Sequence, residues 1–140
     1  MKQKFSRQRR VLLSELCSRT DHPTAEMLYE AVRGTIPNIS LGTVYRNLSQ
    51  FSDEGTILRI STEKSDRFDG NTQPHYHFTC TQCGQVLDVQ MPVSKESEHA
   101  ASMALNAQVT GHETMFYGVC HSCCQQAQAL EKLITNDTED

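Results

Sequence analysis

Four of the six cysteines form two identical knuckles, Cys80-Thr-Gln-Cys83 and Cys120-His-Ser-Cys123, with 36 residues between them. Two thiolates on one tight turn can reach one ion at the Zn–S distance of ~2.3 Å, and two such turns complete a tetrahedron. Gly84, directly after the first knuckle, suits that turn. A closed four-sulfur shell leaves no open coordination position, so the motif predicts a structural Zn(2+). Disulfides are disfavoured in a cytosolic chain. A thioredoxin-like redox pair would not need a matching second knuckle. Of the other two cysteines, Cys17 falls on the apolar side of the first helical stretch and reads as a small core residue. Cys124 adjoins a ligand and points elsewhere on its helix.

A second donor set lies just before the first knuckle. In His75-Tyr76-His77 the histidines are two apart, and on a strand such residues share a face. Asp88 falls on the next predicted strand, where it can face them, and Asp69 lies on the approach from the first half of the chain. This nitrogen and oxygen set suits Fe(II), Mn(II) or Zn(II), and it is too rich in imidazole for Mg or Ca. A lone His-x-His is more often a surface or core pair. Proximity to a four-cysteine site with carboxylates at hand makes a second metal the better reading.

The elements that must hold these groups follow from periodicity. Residues 6–19 read as a helix capped by Ser6, with Val11, Leu12, Leu16 and Cys17 on one face. Thr20 to Pro23 breaks it. Thr24 caps a second helix with Met27, Leu28, Ala31 and Val32 inward, ended by Gly34 and Pro37. Ser40 caps a third, Leu41 to about Ser52, with Leu41, Val44, Leu48 and Phe51 at helical spacing. Residues 56–61 read as a strand, and Arg67-Phe68 as part of another. Three short helices and a strand pair are the plan of a winged helix-turn-helix domain. Its third helix would turn Ser40, Thr43, Tyr45, Arg46, Asn47 and Gln50 outward, which are donor and acceptor types that meet phosphates and base edges. An ordinary three-helix unit with a polar face explains the same pattern equally well. A hinge is expected at 63–66, dividing a winged-helix domain (1–62) from a second domain (67–140). Beyond it, strands at 75–80, 86–91 and 116–120 alternate with helices at 94–107 and 123–134. The fold class is therefore α+β: a winged helix plus a small α/β dimerisation domain that completes its sheet or core with a second copy and carries the four-cysteine zinc site.

The net charge of −4 hides an asymmetry. Residues 1–64 hold ten of the 13 Lys and Arg and seven of the 17 acids, while residues 65–140 hold three basic residues and ten acids. A basic first half and an acidic second half suit a chain in which only the first meets nucleic-acid phosphate. No apolar run approaches the ~18 residues needed to span a bilayer, and no secretory leader is evident. The expected setting is cytoplasmic.

Taken jointly, His75-Tyr-His77-Phe-Thr-Cys80-Thr-Gln-Cys83 with Asp88, His22-Pro23-Thr24-Ala25 and Thr43-Val44-Tyr45-Arg46-Asn47-Leu48 resemble the ferric uptake regulator family. The resemblance runs from about Phe5 to Cys123. It implies a metal-dependent repressor that binds double-stranded operator DNA as a homodimer. It also implies regulatory ligands His22, Asp69, His75, His77 and Asp88. At the Asp88 position iron-sensing members carry Glu and peroxide-sensing members Asp, so the chain resembles the peroxide-sensing branch. That implies regulatory Fe(2+) or Mn(2+), with hydrogen peroxide sensed through Fe(II)-driven oxidation of His22 or His75. Such sensing consumes the sensor, so the protein is not expected to be an enzyme. An auxiliary site of some members maps to Pro74 and Tyr76, which are not ordinary ligands, and is expected to be absent. His99, His112 and His121 then read as surface or packing residues.

Two departures from the family bear on DNA binding. The chain begins close to the first winged-helix element, which shifts DNA contact toward Lys2, Lys4, Arg7, Arg9 and Arg10. Arg46 stands where the peroxide branch tends to carry Asn. Other readings remain: a sensor of iron or manganese level without peroxide chemistry, a small non-haem metal enzyme built on a His75, His77 and carboxylate triad, or a zinc-ribbon interaction module. The enzyme leaves the basic first half without a role, and the interaction module explains the cysteines alone.

Overall fold

The computed structural model describes the backbone of residues 2–137 and the side chains of residues 6–135. The chain divides into two compact units, Met1–Pro74 and His75–Asp140.

In the first unit, helix α1 spans Lys2–Cys17, α2 Ala25–Val32 and α3 Leu41–Asp53, followed by strands β1 (Leu58–Ser61) and β2 (Asp66–Asp69). Helix α1 starts ahead of the expected Ser6 cap, so Ser6 lies inside it. Leu12 and Leu16, one turn apart, are buried, with Val11 and Leu13 partly buried beside them. Cys17, expected in the core, is exposed. Thr24 caps α2 by accepting the Met27 N–H at 3.2 Å. The buried stripe of α2 is Ala25, Leu28 and Val32. Leu28 and Val32 are buried as expected, while Met27 is half-buried and Ala31 exposed. Ser40 caps α3 through the Thr43 N–H at 3.1 Å, and Val44, Leu48 and Phe51 are buried. Leu41, the first residue of α3, stays 36% exposed. Gly55, at φ 78°, closes α3 in the left-handed conformation and lets the Thr56 N–H reach the Phe51 carbonyl at 2.9 Å.

Strands β1 and β2 pair antiparallel, from Leu58 opposite Asp69 to Ser61 opposite Asp66. Residues 62–65 are the hairpin loop, closed by the Thr62 hydroxyl donating to the Ser65 carbonyl at 2.5 Å and accepting the Ser65 N–H at 3.1 Å. The expected hinge at 63–66 is therefore a tight turn and the start of β2. The division falls later, between Pro74 and His75, because the ladder holds 66–69 against 58–61. Phe68, 2% exposed, joins the helical core, and its N–H donates to the Pro23 carbonyl at 3.0 Å.

The second unit contains β3 (Tyr76–Cys80), β4 (Val86–Val89), α4 (Lys95–Leu105), β5 (Met115–Gly118) and α5 (His121–Asp137). The sheet order is β4-β3-β5, with β3 antiparallel to β4 and parallel to β5. The parallel pair requires a crossover, which α4 supplies. Its core is small: Cys80, Cys120 and Cys123 cluster with Phe78 packed on them. Helix α4 buries no residue. The apolar side expected on α5 exists but stays uncovered, with Leu130, Leu133 and Ile134 each at least 60% exposed.

Gly70, directly after Asp69, is a point of close approach. A Cβ there would stand 3.0 Å from Cys17 Cα and 3.1 Å from its sulfur. Because one of those atoms is backbone, trimming the sulfur cannot relieve the clash. Gly70→Ala is expected to destabilise the first unit by about 1–3 kcal/mol. Equilibrium urea unfolding, with Cys17→Ala failing to rescue it, checks this.

Candidate metal centres and nucleic-acid face

The end of β3 delivers Cys80, and the chain then turns sharply. Gly84, at φ 77°, allows its N–H to donate to the Cys80 carbonyl at 2.9 Å. The Thr81 N–H binds the Gly118 carbonyl at 2.7 Å, tying this knuckle to the end of β5. Two residues later Cys120 begins the second knuckle, and the first turn of α5 holds Cys123. The four sulfurs lie within 4.8 Å of one another. Cys80–Cys123 and Cys83–Cys120 are each 3.8 Å apart. A tetrahedron with ~2.3 Å Zn–S bonds has edges of ~3.8 Å, so the donor set fits zinc.

The local electrostatics agree. Backbone N–H groups of Cys83 and Cys120 reach Cys80 Sγ at 3.5 and 3.3 Å, and these two bonds, in that order, lower its thiol to about 5. The Cys120 thiol is also lowered, first by the Cys123 N–H. Cys123 is pushed up to about 12, chiefly by its hydrogen bond to Cys120 and then by burial. Backbone N–H groups thus favour the first thiolates, and the neighbouring sulfurs and burial resist the last. A divalent cation removes that conflict. Cys123→Ser, or zinc chelation, is expected to release the ion and destabilise residues 75–137 by more than about 4 kcal/mol. Zinc content and calorimetric unfolding are the readouts.

The nitrogen and oxygen donors occur as one group in each unit. In the first, His22 is 3% and Asp69 7% exposed, with Nε2 and Oδ2 3.2 Å apart. His22 has φ 50°, although it is not glycine and precedes Pro23. Such a conformation is strained and persists only where surroundings enforce it. Here the Arg67 guanidinium donates to the His22 carbonyl at 3.2 Å, alongside the Phe68–Pro23 backbone bond. Asp69 Oδ1 accepts the Asn71 N–H at 2.9 Å, which orients its carboxylate.

In the second unit, the β3–β4 register sets His77 opposite Asp88. Asp88 Oδ1 lies 3.0 Å from His75 Nε2 and 3.6 Å from His77 Nε2. The two imidazole centroids are 4.3 Å apart, inclined at 60°. Both rings face Asp88, although β3 begins at Tyr76 and His75 lies directly before it. The intervening Tyr76 is engaged elsewhere: its hydroxyl accepts the Ser94 N–H at 2.7 Å and lies 2.7 Å from His112 Nε2. His112 Nδ1 is in turn 3.0 Å from Glu98. His112 is the packing residue expected, but its bond to Tyr76 carried no signal in spacing.

On the nucleic-acid side, the expected residues divide into exposed and committed ones. Tyr45 is 42% exposed, and Arg46 and Gln50 are also exposed. Ser40 is occupied as a cap, and Thr43 Oγ1 accepts from Arg46 at 3.0 Å. Asn47 is half-buried, donating to the Thr43 carbonyl at 2.9 Å. Arg7 reaches the Thr35 carbonyl at 3.5 Å. Arg9 departs from expectation: it hydrogen-bonds Gln50, pairs with Glu54 at 3.4 Å and stacks 4.6 Å over the Phe51 ring. It braces α1 against α3. The side chains of Lys2 and Lys4 lie outside the described residues. Glu26 was missed altogether. Its carboxylate accepts the Tyr45 hydroxyl at 2.5 Å, and the only trace in the sequence was an acid in the first turn of α2.

Residues 1–117 match the ferric uptake regulator family. The chain is 42% identical over 117 residues to the peroxide-responsive repressor PerR of Staphylococcus aureus, covering 83% of this chain and 79% of that one. Among solved structures it is similar to the Campylobacter jejuni peroxide stress regulator, at a TM-score of 0.75 and 28% identity, covering 87% and 93% of the two chains. It is also similar to the Vibrio cholerae ferric uptake regulator, at a TM-score of 0.66 and 33% identity, covering 80% and 88%.

Proposed function

Because this chain belongs to the ferric uptake regulator family, whose members are metal-responsive regulators and not enzymes, we propose that it is a homodimeric repressor that senses hydrogen peroxide. The observation that carries the reading is Asp88 serving His75 and His77 through one oxygen, at 3.0 and 3.6 Å. A carboxylate so short and so shared suits an ion with an accessible edge. The proposed regulatory ligands are His22 and Asp69 from the first unit and His75, His77 and Asp88 from the second. One ion bound by both groups sets the relation between the DNA-binding half and the dimerisation half, which couples metal occupancy to operator affinity.

These ligands would hold Fe(II), which would supply the electrons for cleaving the peroxide O–O bond; in net terms one peroxide oxygen would enter a C–H bond of the His22 or His75 ring and the other would leave as water, whereas Mn(II) would fill the ligands without that chemistry. The chain's own residues do the rest. Asp69 and Asp88 orient the imidazoles, and burial of His22 keeps competing water from its ring. Loss of one imidazole donor opens the link between the halves and lowers affinity for DNA. The strained His22 supports this reading, since strain of this kind concentrates at functional positions. The name of the Staphylococcus aureus relative supports peroxide as the signal. The uncovered apolar residues Tyr117, Leu130, Leu133 and Ile134 support a second copy of the chain as partner. The basic first half with Arg46 exposed on α3 supports double-stranded DNA as the ligand. Cys80, Cys83, Cys120 and Cys123 are proposed to hold Zn(2+) permanently.

The test uses a duplex selected from a random library by the Mn(II)-loaded protein. Anaerobic Fe(II) protein is expected to release it after substoichiometric peroxide, with one oxygen gained on the His22 or His75 peptide by mass. The Mn(II) protein should stay bound. Equal persistence with both metals overturns peroxide sensing and leaves metal-level sensing. Asp88→Glu is expected to lower peroxide sensitivity at least about tenfold, a shift of ~1.4 kcal/mol in effective barrier, while metal-dependent binding persists.

A further inference from the structure

The Glu26–Tyr45 contact joins the first turn of α2 to the outward side of α3. Glu26 is the second residue of α2, directly after the turn that Thr24 caps. Its carboxylate is held below its ordinary range first by the Tyr45 hydroxyl and then by its own backbone N–H. The same bond raises the Tyr45 phenol above its ordinary value, so that the phenol stays protonated. Both side chains are exposed, so neither burial nor packing accounts for the contact.

Two consequences follow for a surface that meets DNA. A phenol carries one proton, and here it is committed to the hydrogen bond donated to Glu26. Tyr45 then has no donor for a phosphate oxygen, which only accepts. It can offer its ring and one remaining lone pair. An exposed tyrosine without a partner samples several rotamers, while one tied at 2.5 Å presents a fixed ring edge. Glu26 also places a negative charge beside that edge, which lowers affinity for any phosphate backbone regardless of sequence. Fixed presentation favours the correct site, and repulsion disfavours all sites. Only the first raises the ratio between them; the second weakens specific and non-specific binding alike.

Resting on the reading of α3 as the DNA-reading helix, we propose that Glu26 is a positioning and specificity-determining residue, orienting Tyr45 and suppressing non-specific duplex binding. The experiment compares Kd for the library-selected duplex and for a scrambled duplex of equal length, using full-length Mn(II)-loaded protein. Glu26→Ala is expected to tighten binding to the scrambled duplex and to lower the selected-to-scrambled ratio about tenfold. Tyr45→Phe should lower the ratio similarly, and the double variant should fall no further than the singles. Glu26→Gln keeps an oxygen acceptor but not the charge. It should restore most of Tyr45's contribution while scrambled binding stays tight. Unchanged melting temperatures separate these effects from misfolding. An unchanged ratio in Glu26→Ala, or additive losses in the double variant, overturns the proposal. Arg46→Ala distinguishes the premise: if it binds the selected duplex as tightly as the parent, the α3 reading falls and the proposal with it. If Arg46→Ala weakens binding and Glu26→Ala changes nothing, the proposal alone falls.

Discussion

The second unit depends on four sulfurs being held together. A sheet of three short strands and two helices would ordinarily close over an apolar core, yet α4 buries no residue and α5 turns its apolar side outward. What is buried at the centre is Cys80, Cys120 and Cys123, with Phe78 against them. Units this small commonly rely on a metal or a partner subunit in place of a large core. The cysteine cluster meets the first need and the uncovered surface points to the second. The resisting ionisation of Cys123 beside the favoured one of Cys80 shows why a cation belongs there: without it the same sulfurs repel.

That constraint reaches the histidines through one strand. Strand β3 ends at Cys80, and its ladder with β4 places His77 opposite Asp88. From the other face of the strand, Tyr76 is fixed by Ser94 and His112. The imidazole pair is thus set by a pinned end, a ladder and a buried tyrosine on the opposite side. The first unit solves the same problem without metal. His22 is placed by a backbone conformation it disfavours, and the Arg67 and Phe68 bonds to residues 22 and 23 enforce it.

How much of this was legible in sequence depended on whether the cause was local. Caps at Thr24 and Ser40 and the turn at Gly84 follow from side-chain and backbone chemistry within a few residues, and they could be read directly. The cysteine site was legible because its spacing repeats. His75 and His77 were legible because strand alternation puts residues two apart on one face. His22 was not legible without the family resemblance: nothing near it reveals that a distant strand will hold it in the left-handed region. The hinge expectation failed for a related reason. Glu63-Lys64-Ser65-Asp66 has the polarity of a linker, but polarity also suits a hairpin loop, and the pairing of Leu58 with Asp69 decides between them. Cys17 was misplaced because helical periodicity fixes a face and not how far along the helix the core extends.

Arg9 and Glu26 show the limit of reading charge from composition. The basic excess of the first half supports the proposal that this half meets phosphate, but net charge does not say which cations are committed within the fold. Arg9 is bound to Gln50, Glu54 and Phe51, and it braces α3. Glu26 carries the opposite sign on the same surface and accepts the Tyr45 hydroxyl hydrogen bond. A DNA-facing surface built only of cations would bind every duplex. On the proposed reading, with Arg9 withdrawn into the scaffold and Glu26 set beside an exposed tyrosine, attraction is tempered where base edges would be read. Selectivity on such a surface comes from charges that are tied down as much as from those left to reach out.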